Sequence, residues 1–145
     1  MEIYTIGFTK KSAAQFFGAL TEAGIEQLVD VRLNNVSQLA GFTKRDDLAF
    51  FMGAICGASY VHEPLLAPTQ EMLDHYKKHG GSWAEYEVEF LNLMASRHIE
   101  HEIDRALFEA RTVLLCSEPT PDRCHRRLVV EYLSERWGDV SAIHL

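Results

Sequence analysis

The chain has 145 residues and a formal net charge of -7, and 47% of its residues are hydrophobic. This length is sufficient for a single domain with a sizeable core, so we expect one domain over residues 1–145. The acidic balance argues against non-specific nucleic-acid binding, which depends on a positive surface, and no apolar run approaches the roughly 18 residues of a membrane span.

The three cysteines are an odd number, and Met1 leads directly into the first apolar segment without a recognisable secretory leader. Both features favour free thiols in a reducing compartment. We therefore expect a cytoplasmic protein with no membrane partner. The sequence indicates no particular cofactor and no particular oligomeric state.

Strand and helix patterns alternate along the chain. Short β-branched or apolar runs bounded by turn residues predict strands over residues 3–8, 28–32, 59–62, 112–116 and 140–144. Apolar stripes at helical spacing predict helices from Ser12 to Gly24, after a capping pattern at 43–46, over 69–78, after Ser82, over 99–110 and over 124–137. A loop rich in Asn, Ser and Gly is predicted over 33–42.

This alternation predicts an α/β fold, with a mostly parallel sheet of about five strands and helices on both faces. The carboxyl ends of parallel strands gather at one edge of the sheet, where such proteins bind ligands. The polar and reactive residues expected at this edge are Gly7, Thr9, Asp30, Arg32, His62, Glu63, Cys116 and Glu118. The sequence therefore predicts a site at the carboxyl edge.

The segment from Cys116 to Arg126 is the part of the chain richest in potentially reactive side chains. Cys116 ends a predicted strand, and it is interpreted either as a nucleophilic or redox thiol or as a small buried core residue. Thr120 or Asp122 is expected to cap the next helix. An anion loop of the Cys-dependent phosphatase kind would need arginine where this chain has Asp122, which argues against that class.

The start of the last helix adds Cys124, His125 and Arg126. The helical wheel directs His125 towards the sheet, where it acts in catalysis or bonds a backbone carbonyl in the core. Arg126 is expected to bind a substrate anion or to pair with Glu118. The helix dipole and Arg126 favour a Cys124 thiolate, so the sequence predicts that Cys124 is alkylated faster than Cys116.

The two cysteines could also form a redox pair, or bind metal together with His125 and His62. A metal site usually shows tighter cysteine spacing, so we expect no metal.

Asp30 and Arg32 alternate with apolar residues and point to the same face of their strand. Charged groups at a buried strand end are costly unless they are paired or used. One interpretation makes Asp30 a base and Arg32 an anion clamp; the alternative is a structural pair that fixes the loops. Phe42 and Lys44 follow the predicted loop and could close over a ligand.

Several short blocks resemble one protein family. They are Tyr4-Thr5-Ile6-Gly7, Val29-Asp30-Val31-Arg32, Gly41-Phe42, Tyr60-Val61-His62 and Cys116-Ser117-Glu118 with Cys124-His125-Arg126. Together they resemble the domain of unknown function 488 family over essentially the whole chain. The commoner pattern of that family has His and Ser after the first glycine, where this chain has Phe8 and Thr9. The resemblance implies the fold and the position of the site rather than an activity.

Two functional hypotheses follow. The first is thiol-based or Asp/Arg-based chemistry on an anionic small molecule, with Asp30, Cys116, Glu118, Cys124 and His125 as catalytic residues. Substrate contacts are then expected from Gly7, Thr9, Arg32, Phe42, His62 and Arg126. The second is a non-catalytic module that binds nucleotide or nucleic acid through a small basic pocket, which the net charge does not favour. A structural polar network that ties the loops together is a third, plainer interpretation.

Overall fold

The computed structural model describes residues 1–36 and 40–145, so residues 37–39 of the predicted loop lie outside the described residues. Five strands form one all-parallel sheet in the order β3-β2-β4-β1-β5. The strands are β1 (Glu2–Gly7), β2 (Gln27–Asp30), β3 (Ser59–His62), β4 (Thr112–Cys116) and β5 (Ser141–His144). The predicted α/β class with a parallel sheet is confirmed.

Six α-helices accompany the sheet in the described part of the chain. They are α1 (Ala13–Glu22), α2 (Arg45–Phe51), α3 (Gln70–Lys78), α4 (Trp83–Ser96), α5 (Ile99–Glu102) and α6 (His125–Trp137). Ser12 and Ser82 cap α1 and α4, because each side chain accepts a hydrogen bond from the backbone N–H three residues later. None of the helices in residues 1–36 and 40–145 combines the length and apolar character needed to cross a bilayer.

The central strands β1, β2 and β4 are buried on both faces because helices cover each face. Along β4, Val113 and Leu115 pack with α1 and α2, whereas Leu114 and Cys116 pack with α4 and α6. Side chains alternate between the two faces of a strand. The last residue of β4 therefore directs its thiol towards α6.

The neighbouring strands β1 and β4 open the crevice that holds the site. The chain leaves β1 for α1 on one face and leaves β4 for α6 on the other. The loops that follow β1 and β4 diverge at this point. A hydrogen bond still joins them, since the Thr9 N–H donates to the Ser117 carbonyl at 3.0 Å. Such a topological switch point is where parallel α/β sheets bind ligands.

Some predicted element boundaries are wrong. The predicted helix over 99–110 is interrupted: α5 ends at Glu102, and a separate 3₁₀ turn occupies Arg105–Phe108. The interruption has a local cause, since the Asp104 side chain accepts from the Ala106 N–H and starts the second turn. The second strand ends at Asp30 rather than at residue 32.

Two predicted caps are also wrong. Lys44 is the N-cap of α2, and its side chain makes no capping bond within the described residues, in contrast to the predicted box at 43–46. Cys124, rather than Thr120 or Asp122, is the N-cap of α6, again without a capping bond from its side chain in that part of the chain. The helix therefore begins at His125.

Candidate functional site

A cavity of about 800 Å³ lies at the carboxyl edge of the sheet. Its wall contains seven of the residues predicted for the site: Thr9, Arg32, Phe42, Cys116, Glu118, Cys124 and His125. Gly7, Asp30, His62 and Arg126 are not part of the wall and lie behind it. The predicted residues are thus gathered around one concavity in two layers.

A thiol and an imidazole face each other in the cavity wall. The Cys116 Sγ lies 3.3 Å from the His125 Nδ1, and both residues are buried. His125 is the first residue of α6, so the helix start fixes its ring against the end of β4. The ring also packs on Phe90, with their centroids 5.3 Å apart.

The Val31 carbonyl determines which nitrogen of His125 is basic. It lies 2.7 Å from the His125 Nε2, and a carbonyl only accepts, so Nε2 carries the hydrogen. Nδ1 is therefore the nitrogen that exchanges a proton with Cys116. Burial lowers the pKa of His125, which favours the neutral ring and leaves Nδ1 able to accept a proton.

The surroundings of Cys116 favour its thiolate. Burial on its own raises the pKa of the Cys116 thiol. Hydrogen bonds from the Cys124 thiol and the Ser117 N–H, together with the positive charge of Arg126, outweigh burial and bring the pKa below its ordinary value. Cys116 is consequently the acidic thiol of the site.

Cys124 behaves in the opposite way. Burial raises the pKa of Cys124, and donation of its hydrogen to Cys116 raises it further. The prediction that the helix dipole and Arg126 make Cys124 the more acidic thiol is therefore wrong, because desolvation outweighs both effects. Cys124 is therefore the less acidic thiol of the two, and its Sγ lies within 4.8 Å of the Cys116 Sγ.

Three potential metal ligands meet here. The ligand atoms of Cys116, Cys124 and His125 lie within 4.8 Å of one another, and all three residues are buried. Structural zinc sites take four protein ligands, whereas this group supplies three. His62, suggested by the sequence as a fourth ligand, instead donates from Nε2 to the Arg32 carbonyl at 2.9 Å.

Asp30 and Arg32 form a closed pair behind the cavity. The Asp30 Oδ1 accepts from the Arg32 Nε at 2.9 Å, and Oδ2 accepts from Nη2 at 2.9 Å. Oδ2 also accepts from the Tyr60 hydroxyl at 2.6 Å, and Arg32 reaches the Thr43 carbonyl at 2.6 Å. Asp30 is fully buried. This geometry supports the interpretation of Asp30 and Arg32 as a structural pair that fixes the loops. Of the two residues, Arg32 reaches the cavity wall and Asp30 does not.

Arg126 is buried beneath the loop that follows β4. Its Nη1 donates to the Glu118 carbonyl at 2.6 Å, and its Nε donates to the Thr5 hydroxyl at 3.3 Å. Its Nη2 has no hydrogen-bond partner among residues 1–36 and 40–145. The predicted pairing with the Glu118 carboxylate is not formed, because that carboxylate lies 3.9 Å from the Lys77 Nζ. Arg126 thus supports the loop and the Cys116 thiolate.

The cavity wall also contains cations that the sequence analysis did not assign to the site. They are Lys10, Lys11, Lys77 and Arg123. Within the part of the chain that the structure describes, Lys10, Lys11 and Arg123 take part in no ion pair. Lys10 and Lys11 directly follow Thr9, so extending the strand-end rule by two residues would have found them.

Aromatic side chains form the opposite part of the wall. Trp83 stacks on Tyr86 with their ring centroids 5.2 Å apart, and Tyr76 lies 5.2 Å from Tyr86. All three line the cavity. Phe90 and Met94, further along α4, are fully buried in the core, so this helix supplies both core and cavity wall.

Fold and site define a parallel α/β protein with a buried Cys–His pair at the switch point of its sheet. The family model described as "Domain of unknown function DUF488" matches residues 12–133. The chain belongs to this family, as the sequence blocks indicated. No curated protein and no solved structure matched the chain in the corresponding comparisons.

Proposed function

We propose that this protein is an enzyme that uses Cys116 as a nucleophile on an anionic small molecule. The observation that carries the proposal is the 3.3 Å contact between the Cys116 Sγ and the His125 Nδ1 in a cavity wall that also holds Lys10, Lys11 and Arg123. A nucleophile next to a base that a third group orients is the arrangement of covalent catalysis. Here the third group is the Val31 carbonyl.

The proton and the electron pair have defined places in this proposal. The Cys116 thiol first gives its proton to the His125 Nδ1. The Cys116 sulfur then forms a bond to the electrophilic atom of the ligand, and the bond from that atom to the leaving group breaks with its electron pair passing to the leaving group. The leaving group takes the proton from Nδ1. Cys124 and the Ser117 N–H hold the thiolate before attack.

The remaining predicted residues receive binding or positioning roles. Thr9, Arg32 and Phe42 contact the ligand from the wall, together with Lys10 and Arg123. Glu118, predicted as catalytic, positions Lys77 through its carboxylate. Asp30, Gly7, His62 and Arg126 act through the residues in front of them. Asp/Arg-based catalysis is not supported, because both carboxylate oxygens of Asp30 are occupied. The three free cysteines suit a reducing, cytoplasmic setting.

The proposal predicts that Cys116 reacts faster with iodoacetate than with iodoacetamide, relative to the same ratio at Cys56. The cationic wall concentrates the anionic reagent, an effect on the order of tenfold at low salt. We expect Cys116 to be modified faster than Cys124, since its pKa is lowered and that of Cys124 is raised. Peptide mapping after short exposures measures each rate. The Cys116 rate should fall as the pH drops through a pKa lower than that of an ordinary thiol.

Matched variants test the cause of this selectivity. Replacing Lys10, Lys11 and Arg123 together by alanine should bring the reagent ratio at Cys116 down to that of the urea-unfolded chain. Lys78→Ala removes a lysine that pairs with Asp74 outside the cavity and should leave the ratio unchanged. A Cys116 that stays unmodified while Cys56 reacts would refute the proposal.

A non-catalytic nucleotide-binding module is the second candidate, favoured by aromatic rings and cations in one cavity wall. A base would stack on Trp83 or Tyr76 while Lys10 or Arg123 binds the phosphate. In a Trp137→Phe variant, which leaves Trp83 as the only tryptophan, AMP should quench the fluorescence. Adenosine and ribose 5-phosphate should each quench less at the same concentration. The absence of any AMP effect on fluorescence and melting temperature at low salt would exclude this candidate.

A further inference from the structure

Cys124 is a second thiol in the same cavity wall, only 2% exposed, and the proposed nucleophilic step does not use it as a reacting group. Its Sγ lies within 4.8 Å of the Cys116 Sγ. It occupies the N-cap of α6 but makes no capping bond with its side chain within the described residues. Serine or asparagine would be the better cap at this position. The thiol therefore has chemistry rather than capping to contribute.

The two sulfurs are close enough to join after a local movement. A disulfide requires an S–S distance of about 2.05 Å, so the sulfurs must approach further than they do in the reduced state. Cys116 is fixed at the end of β4, whereas Cys124 belongs to the connection to α6 that contains Pro119 and Pro121. The movement needed falls on the Cys124 side.

We infer that Cys124 is the resolving thiol of a Cys116–Cys124 dithiol that reduces hydroperoxides. The inference rests on the proposed nucleophilic role of Cys116 and adds a substrate class and a second reacting residue. A cysteine thiolate attacks peroxide oxygen to give a sulfenic acid, and a second thiol within reach then closes the disulfide; the Cys116 and Cys124 sulfurs lie within 4.8 Å of each other.

The chemistry balances in two steps. The Cys116 thiolate, whose proton has passed to the His125 Nδ1, attacks one peroxide oxygen, so an S–O bond forms and the O–O bond breaks. The departing alkoxide or hydroxide takes that proton from Nδ1 and leaves as alcohol or water. Cys124 then gives its proton to the His125 Nδ1 and attacks the Cys116 sulfur. The S–S bond forms, the S–O bond breaks, and hydroxide leaves as water with the proton from Nδ1. Two electrons pass from the dithiol to the peroxide, and an external dithiol resets the site.

Hydrogen peroxide is the probe for the test. The reduced protein is treated with one equivalent in the presence of a chelator, quenched with N-ethylmaleimide in denaturant, and mapped without reduction. We expect a Cys116–Cys124 cross-linked peptide, an intact mass lower by two hydrogen atoms before labelling, and Cys56 labelled as a free thiol. Cys56→Ser should give the same cross-link.

Two variants assign the order of reaction. Cys124→Ser should stop at a Cys116 sulfenic acid, which dimedone traps, and Cys116→Ser should leave Cys124 unoxidised. Circular dichroism confirms that each variant is folded. A wild-type protein in which Cys116 is oxidised to sulfinic acid while Cys124 stays free would overturn the inference.

The outcome is separable from that of the proposed function. A Cys116 that shows the iodoacetate preference but resists peroxide refutes the dithiol reaction alone. A Cys116 that resists both reagents in the folded protein refutes both proposals.

Discussion

Asp30→Asn is expected to lower the free energy of unfolding by about 3–5 kcal/mol, the range for breaking a buried ion pair from one side. Asp30 is fully buried and Arg32 is 4% exposed, so the guanidinium would lose its only carboxylate partner without gaining water. The asparagine amide would also place a donor group where Arg32 or Tyr60 already donates. Burial and the bond to Asp30 raise the pKa of Tyr60, which keeps its hydroxyl a donor. Urea denaturation measures the loss.

The same substitution at a surface ion pair provides the control. Asp46 pairs with Arg45 at 3.2 Å but its side chain is 90% exposed, so Asp46→Asn should change stability by less than about 0.5 kcal/mol. A double variant with Asp30→Asn and Arg32→Met should recover part of the loss, because no buried charge remains unpaired. Equal stability of the Asp30→Asn and Asp46→Asn variants would show that the buried pair does not hold the loops.

The central strands of the sheet were predictable from the sequence because β1, β2 and β4 are buried on both faces. Such strands are nearly continuous apolar runs, as Val113 to Leu115 illustrates. The edge strand β3 is only partly buried, but it was also predicted with the bounds that the structure shows. The edge that holds the site followed from strand direction alone. Strand order did not follow, since β4 inserts between β1 and β2 through contacts between distant parts of the chain.

The site was predicted less completely because side-chain environments depend on packing. Sequence spacing placed His125 on the face of α6 that turns towards the sheet, which is where it lies. It did not reveal that α3 and α4 bring Tyr76 and Trp83 to the same cavity. These aromatic residues are far from the strand ends in sequence, so no local signal connected them with the site.

The order of acidity predicted for Cys116 and Cys124 is wrong for an electrostatic reason. The sequence gives no measure of desolvation, and the helix start at Cys124 favoured its thiolate when considered alone. In the folded protein burial raises the pKa of both thiols, but at Cys116 the neighbouring groups and the charge of Arg126 outweigh it, whereas at Cys124 burial prevails. Burial and these contacts are properties of the packed structure.

Gly7→Ala is expected to cost at least about 3 kcal/mol, at or above the upper end of ordinary overpacking. A Cβ on Gly7 would lie 1.6 Å from the Glu118 carbonyl oxygen and 2.8 Å from the Arg126 Nη1. The carbonyl has little freedom to withdraw, because Arg126 donates to it at 2.6 Å and the Thr9 N–H holds the adjacent Ser117 carbonyl. Gly7 is not among the glycines at positive φ, so steric contact rather than backbone strain is the cause.

Gly18→Ala is the matched control for this effect. Gly18 lies within α1, and a Cβ there would meet nothing within 4 Å, so alanine should be neutral or stabilise by about 0.5–1 kcal/mol through helix propensity. The Gly7 variant should also change the alkylation rate of Cys116, because the displaced loop carries the Ser117 N–H that supports the thiolate. Urea denaturation gives the stability of both variants, and peptide mapping gives the thiol rate. Equal stability of the Gly7 and Gly18 variants would contradict this prediction. It would mean that the β4–α6 loop moves away from β1 at little cost and that the contact between Glu118 and Arg126 does not hold the loop in place.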